Sequence, residues 1–232
     1  MPKEKYVYTG QTNLEVMQNA VNYNKYLYNL VKKEIDALGK KNVKILDFGA
    51  GIGTYADIFK NEGIIVDCVE IDPNGVKVLS KKGYKVYESV DAIQDKYDIV
   101  YSFNVLEHVE GDASLLKDMS RAVKKQGSIV VYVPAFNAIF SKLDVLVEHL
   151  RRYRKQDMKA LANKNSLKIS KLHYCDPVGF MLAFIYKFIG GSGNLSSWSV
   201  WVFDRILFPV SVALEFITKP YFGKNVLAVY KK

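Results

Sequence analysis

Val43-Lys44-Ile45-Leu46-Asp47-Phe48-Gly49-Ala50-Gly51-Ile52-Gly53-Thr54 is the stretch on which the reading of this chain turns. Its first half is a short apolar run with the character of a buried strand. Its second half places glycine at every other position, and residues 54–62 then read as a helix. Glycines there let the backbone turn tightly and approach a ligand, with a helix N-terminus just beyond. Working outward, further strands are expected over residues 64–71, 84–87, 97–103 and 128–133. Helices are expected over 76–82 and 112–123, the first after an Asp72-Pro73-Asn74-Gly75 turn and the second closed by Lys124-Lys125-Gln126-Gly127. That alternation means successive βα units in one sheet, with their ligand loops along a single edge.

The flanks complete the picture. Leu14, Met17, Val21, Leu27, Leu30, Val31, Ile35 and Leu38 recur every three or four residues, which predicts a helix over 12–38. Residues 167–174 and 225–230 read as a sixth and a seventh strand. The expected fold is α/β, a Rossmann-like seven-stranded, mainly parallel sheet with helices on both faces. No repeat or linker divides it, so residues 1–232 read as one domain. Within it lie an N-terminal helical cap (1–42), a core (43–175), an aromatic-rich hydrophobic helical insertion (176–224) and a last strand (225–232).

Composition narrows the class. The chain has 232 residues, 49% hydrophobic and 25% charged, which excludes a disordered tail protein. The net charge is +9. Cys68 and Cys175, both in apolar surroundings, make no disulfide framework, so a reducing, cytoplasmic compartment is expected. Met1-Pro2-Lys3-Glu4-Lys5 lacks the apolar core of a signal peptide, and no uncharged apolar window of membrane-spanning length occurs.

The glycine turn alone fits several nucleotide cofactors. A dinucleotide fingerprint wants glycine where Thr54 stands, and Asp47, two residues before Gly49, disfavours a pyrophosphate. A nicotinamide dehydrogenase is therefore a poor fit. Asp47 favours an ammonium or sulfonium group, and Glu70, at the tip of the next strand, can accept both hydroxyls of a ribose. A ribose with a positive group and no phosphate describes S-adenosylmethionine. The plainer alternative is that both carboxylates cap loops.

With these residues the chain resembles the class I S-adenosylmethionine-dependent methyltransferases. Asp47-x-Gly49-x-Gly51-x-Gly53, Glu70 and the run Tyr97-Asp98-Ile99-Val100…Asn104-Val105-Leu106-Glu107-His108-Val109 carry the likeness. The resemblance implies a cofactor site of Asp47, Gly49, Ala50, Gly51, Gly53, Glu70, Ile71, Ser89, Val90, Asn104, Val105 and His108. The chain is also similar to a narrower group often linked with glycosyltransferases of polyprenol-dependent pathways. Asn22-Tyr23-Asn24-Lys25-Tyr26-Leu27, Leu143-Asp144…His149-Leu150-Arg151-Arg152-Tyr153 and Phe203-Asp204-Arg205…Pro209 carry that likeness. One departure stands out: Glu148 occupies a position where the group's pattern usually has glycine.

Methyl transfer to oxygen can call for a base, and the chain has three histidines. His108 and His149 are the catalytic candidates, with pocket-shaping and loop-bracing against Asp144 as their respective alternatives; His173 reads as structural. His149, Arg151, Arg152 and Tyr153 are the substrate-binding candidates, because arginine matches phosphate or carboxylate geometry. A solvated helix start paired to Glu148 and Asp157 is the alternative. No metal is expected: Glu107 and His108 are adjacent, adjacent side chains point apart, and no third ligand is evident.

The end of the chain differs from the rest. Residues 177–232 hold 12 of the 30 aromatic residues and six Lys or Arg against Asp204 and Glu215. Its apolar segments suit an active-site lid, a membrane interface or a homodimer surface. The function expected is methyl transfer from S-adenosylmethionine, to oxygen, on a small or lipid-linked acceptor, in the cytoplasm or peripheral to a membrane. Two alternatives stand beside it. One is an inactive, cofactor-binding regulatory partner of a membrane-associated glycosyltransferase. The other is a nucleic-acid methyltransferase, disfavoured because the fourth strand ends Asn104-Val105-Leu106-Glu107, without the Asn-Pro-Pro-aromatic run that binds a base amino group.

Overall fold

A computed structural model describes residues 16–189 and 196–232. In chain order its elements are α1 (Val21–Ala37), β1 (Lys44–Phe48), α2 (Thr54–Asn61), β2 (Ile65–Val69), α3 (Pro73–Lys81), β3 (Val86–Tyr87) and β4 (Tyr97–Phe103). These are followed by α4 (Asp112–Ala122), β5 (Val123–Pro134), α5 (Lys142–Leu146), α6 (Lys155–Lys164) and β6 (Lys168–Cys175). The helices α7 (Pro177–Ile189), α8 (Ser197–Val202) and α9 (Phe208–Thr218) precede the last strand, β7 (Asn225–Lys231).

The seven strands form one sheet in the order β3-β2-β1-β4-β5-β7-β6, and β7 alone runs antiparallel to its neighbours. The expected seven-stranded, mainly parallel α/β sheet is what the chain forms. Its central strands are buried on both faces, so they read as continuous apolar runs. Alternate residues feed two cores. Ile45, Ile99, Tyr101 and Val130 pack with Leu27 and Val31 of α1 and Phe59 of α2. Leu46, Val100 and Val131 pack with Leu116 of α4 and Met158 of α6 on the other face.

Strand order reverses between β1 and β4, so the loops leaving their carboxyl ends diverge and open a crevice. The glycine turn, Glu70 and the Asn104–His108 segment all leave the sheet along this edge.

Three boundaries differ from the sequence reading. The first helix is interrupted at residues 18–20, where the Asn24 amide donates to the Met17 and Gln18 carbonyls at 3.0 and 3.1 Å; residues 12–15 lie outside the described part. The Asp72-Pro73-Asn74-Gly75 segment begins α3 instead of preceding it. Asp72 is its N-cap, accepting from the Gly75 N–H at 3.2 Å, and Pro73 fits the first turn because it has no N–H to satisfy. Lys124–Gly127 does turn, with Gln126 at φ +65°, but as an excursion within β5.

Candidate functional site

The glycine turn is built from left-handed backbone. Gly49, Gly51 and Gly53 have φ of +82°, +56° and +85°, which costs a side-chain-bearing residue about 1–2 kcal/mol each. Space forbids substitution as well, since a Cβ on Gly49 would lie 2.4 Å from Val105 Cγ2. Val105 thus packs directly on the turn, which joins the β1 and β4 loops into one wall.

Glu70 braces this turn. It is 8% exposed, and its oxygens accept from the N–H groups of Gly51 at 2.6 Å, Ile71 at 2.8 Å and Asp72 at 2.9 Å. A carboxylate has about four acceptor positions, so about one remains for a ligand hydroxyl. Sequence reasoning gave Glu70 a ribose and did not find this brace. Asp47 is buried and its Oδ2 has no hydrogen-bond partner. Burial pushes its carboxyl up to about 7; the Tyr101 hydroxyl works against that and the Glu70 charge with it. A buried acceptor without a partner, beside a glycine cradle, fits a ligand that brings a positive group. Ile71 and Ser89 are exposed, and Val90, Asn104 and Val105 half-buried, along the same edge. Asn104 takes φ +54°, which asparagine tolerates better than most residues.

On the far side of Val105 lies a second cluster. His149 Nδ1 is 2.8 Å from Asp144 Oδ1, and its Nε2 is 3.7 Å from Glu107 Oε1. The His108 ring meets that of His149 edge to face at 4.8 Å between centroids. Asp144 is buried, and its Oδ2 also accepts from the Ser141 N–H at 2.8 Å. Burial raises the Asp144 carboxyl, but hydrogen bonds from His149 and Arg152 outweigh it and bring it to about 2. Glu107 is fully buried and neither of its carboxylate oxygens has a hydrogen-bond partner. Burial pushes it up to about 8, against its own backbone N–H and Arg152. For His108, burial and then the neighbouring His149 push the pKa down to about 4, so it is neutral and a weak base.

The substrate-binding candidates divide. Arg152 is 8% exposed and each nitrogen of its fork donates once: Nε and Nη2 to Asp144 at 2.8 and 3.1 Å, Nη1 to the Ala135 carbonyl at 3.2 Å. Tyr153 is buried, its hydroxyl within 3.0 Å of the Leu106 carbonyl and 3.1 Å of Asp112. These contacts tie the two residues into the loop, with most of their donors spent inside the protein. Arg151 stays half-exposed and pairs with Asp112 at 3.2 Å. The loop itself is fixed at its crest by Glu148 with φ +61°, the left-handed geometry that explains why glycine suits this position.

The premise behind the expectation of no metal also changes. Glu107, His108 and His149 offer ligand atoms all within 4.8 Å of one another, so a third group is present. Adjacency misled the reading because Leu106–His108 is a single turn of 3-10 helix, and His149 is delivered by a different loop. That loop is tied on by the Leu150 N–H donating to the Glu107 carbonyl at 2.8 Å.

Among solved structures, the chain is similar to an S-adenosylmethionine-dependent methyltransferase from Archaeoglobus fulgidus. The identity is 18%, with 90% of this chain and 94% of that one covered, at a TM-score of 0.57. It is similar to another from Clostridium acetobutylicum at 10% identity, covering 88% and 89% of the two chains, with a TM-score of 0.58. A third is the magnesium protoporphyrin IX methyltransferase of Synechocystis with bound S-adenosylmethionine, at 11% identity, 91% and 81% coverage and a TM-score of 0.55. No curated protein matches the chain. At such identities these likenesses show the fold. Residues 23–172, spanning the glycine turn, Glu70 and the Asp144–Tyr153 loop, match the methyltransferase-domain family, and the chain therefore belongs to that family of S-adenosylmethionine-dependent enzymes.

Proposed function

We propose that this methyltransferase acts on an oxygen of a small or lipid-linked acceptor that enters on the His149 side. The observation that carries this reading is the Asp144–His149 pair. With Nδ1 donating to a carboxylate held near pKa 2, the imidazole keeps its lone pair on Nε2, turned toward the interior at Glu107. Bound S-adenosylmethionine supplies a methyl carbon on a positively charged sulfur. Gly49, Gly51 and Gly53 let the backbone come close to it, Asp47 offers its unpartnered oxygen to the ammonium, and Glu70 keeps the turn in place. Positioning of this kind supplies about 7–11 kcal/mol in favourable cases. His149 Nε2 would take the acceptor's hydroxyl proton as that oxygen received the methyl group, with S-adenosylhomocysteine as the leaving product. The Asp144 charge then stabilises the imidazolium.

The test is formation of S-adenosylhomocysteine with hydroxylated soluble and polyprenyl-linked compounds. His149→Asn is expected to lower kcat by about 100-fold or more while leaving S-adenosylhomocysteine affinity unchanged. Equal loss of turnover and cofactor affinity would contradict the role given to His149. A product methylated at nitrogen or carbon would contradict the acceptor.

A further inference from the structure

Residues 177–232 turn both of their acidic side chains inward. Asp204 is fully buried and accepts from the backbone N–H groups of Asn22 at 3.1 Å and Tyr23 at 2.8 Å. Glu215 accepts from the Tyr26 hydroxyl at 2.9 Å and the Asp176 N–H at 2.9 Å. Among the described residues, the outside of α7, α8 and α9 therefore shows no exposed carboxylate. What it shows is apolar and cationic. All but six of the large apolar side chains exposed among the described residues lie between Met181 and Tyr221, with Phe216 at 83%, Trp198 at 74% and Phe188 at 72%. Arg205, Lys187 and Lys219 are exposed among them. A monomer in water rarely leaves more than a few hundred Å² of contiguous apolar surface uncovered.

The charge pattern selects what covers it. A second copy of the chain packed face to face would set Arg205 and Lys219 against the same cations, with no acid to receive them. A bilayer with anionic headgroups receives the cations at headgroup level and the tryptophans and phenylalanines just below. No helix of the described residues is long and apolar enough to cross a membrane, so the contact is interfacial. The helices also stand beside the candidate acceptor entrance. Phe180 of α7 packs on Phe136 at 5.4 Å, and Lys187 donates to the Ala138 carbonyl at 2.7 Å, both in the loop after β5. Val145, Leu146 and Leu150, on either side of His149, are exposed too.

We infer that α7, α8 and α9 dock on the surface of an anionic lipid bilayer and bring the His149 side of the site to an acceptor anchored in it. The docking stands on the surface alone, whereas the acceptor's class rests on the methyl-transfer reading above. The experiment is co-sedimentation of the full chain with vesicles of phosphatidylcholine, alone or mixed with phosphatidylglycerol. Light scattering in detergent-free buffer follows the oligomeric state.

The expected result is binding at least tenfold tighter to the mixed vesicles, weakened by salt. Trp198→Ser with Phe216→Ser should reduce it at least tenfold, and S-adenosylhomocysteine binding retained by that variant shows an intact fold. Failure to sediment with either vesicle overturns the docking. So does a stable dimer that the double variant dissociates without altering sedimentation. Turnover of soluble acceptors by a chain that ignores vesicles would sink the docking and leave the methyl-transfer reading standing. Vesicle binding without turnover of any acceptor would do the reverse.

Discussion

Asp47 carries a charge that the fold alone does not satisfy. Its carboxyl is buried with one oxygen unpartnered, and burial pushes its pKa from the ordinary 3.8 up to about 7. Between those values the native state holds a proton that the unfolded chain has released, so stability falls as pH rises through that window. Glu107, raised to about 8 by burial, acts in the same direction. Asp47→Asn removes the ionisation and is expected to stabilise the chain at neutral pH by about 1–3 kcal/mol. It should also flatten the pH dependence of the melting temperature and weaken binding of S-adenosylmethionine, whose ammonium loses its counter-charge. Thermal melts of both proteins between about pH 5 and pH 8 check this. Parallel curves, or a less stable variant, would contradict the assignment. The identity of Asp47 and its place before Gly49 were legible in the sequence. Its missing partner was not, because that depends on which neighbours three strands bring to one point.

The loop from α5 to α6 shows how an element can be built by one ion pair. Arg152 and Asp144 meet through two hydrogen bonds in the interior, and Asp144 also orients His149. Removing one partner of a buried pair leaves an unpaired charge, so Asp144→Ala should cost about 3–5 kcal/mol. Arg151→Ala, which breaks a half-exposed pair with Asp112, should cost about 1 kcal/mol or less. Urea unfolding of the two variants separates them, and equal losses would mean that the buried pair is not what holds the loop. The sequence showed which residues gather here, and it offered loop-bracing against Asp144 beside a ligand-facing role for His149. A His-x-Arg-Arg-Tyr run reads as a basic cluster facing a ligand. Yet the bridge of Tyr153 to Ala135 draws this run onto the end of β5, where Arg152 and Tyr153 are both buried, Arg152 against Asp144. The strands themselves were plain from their apolar runs. The start of α3 was missed because Asp-Pro-Asn-Gly is equally good turn chemistry and N-cap chemistry.

At the scale of the whole molecule, strand order does the positioning. The reversal between β1 and β4 brings the glycine turn, Glu70 and the Asn104–His108 segment to one edge, and α5 and α7 are delivered to the same edge by the ends of β5 and β6. That the ligand loops share one edge followed from the alternation of strand and helix; the strand order and the short α5 did not. The inward turn of Asp204 and Glu215 did not, since a sequence shows that a segment is apolar but not which of its charges are spent inside. The proposed function requires this edge to hold S-adenosylmethionine through Asp47, the glycine turn and Glu70. Calorimetric titration of the chain and of Glu70→Ala with S-adenosylmethionine, S-adenosylhomocysteine and NAD tests it most directly. Micromolar binding of both adenosyl ligands is expected, with no response to NAD and at least tenfold weaker binding by the variant. NAD binding as tight as that of S-adenosylmethionine, or a variant with unchanged affinity, would contradict it.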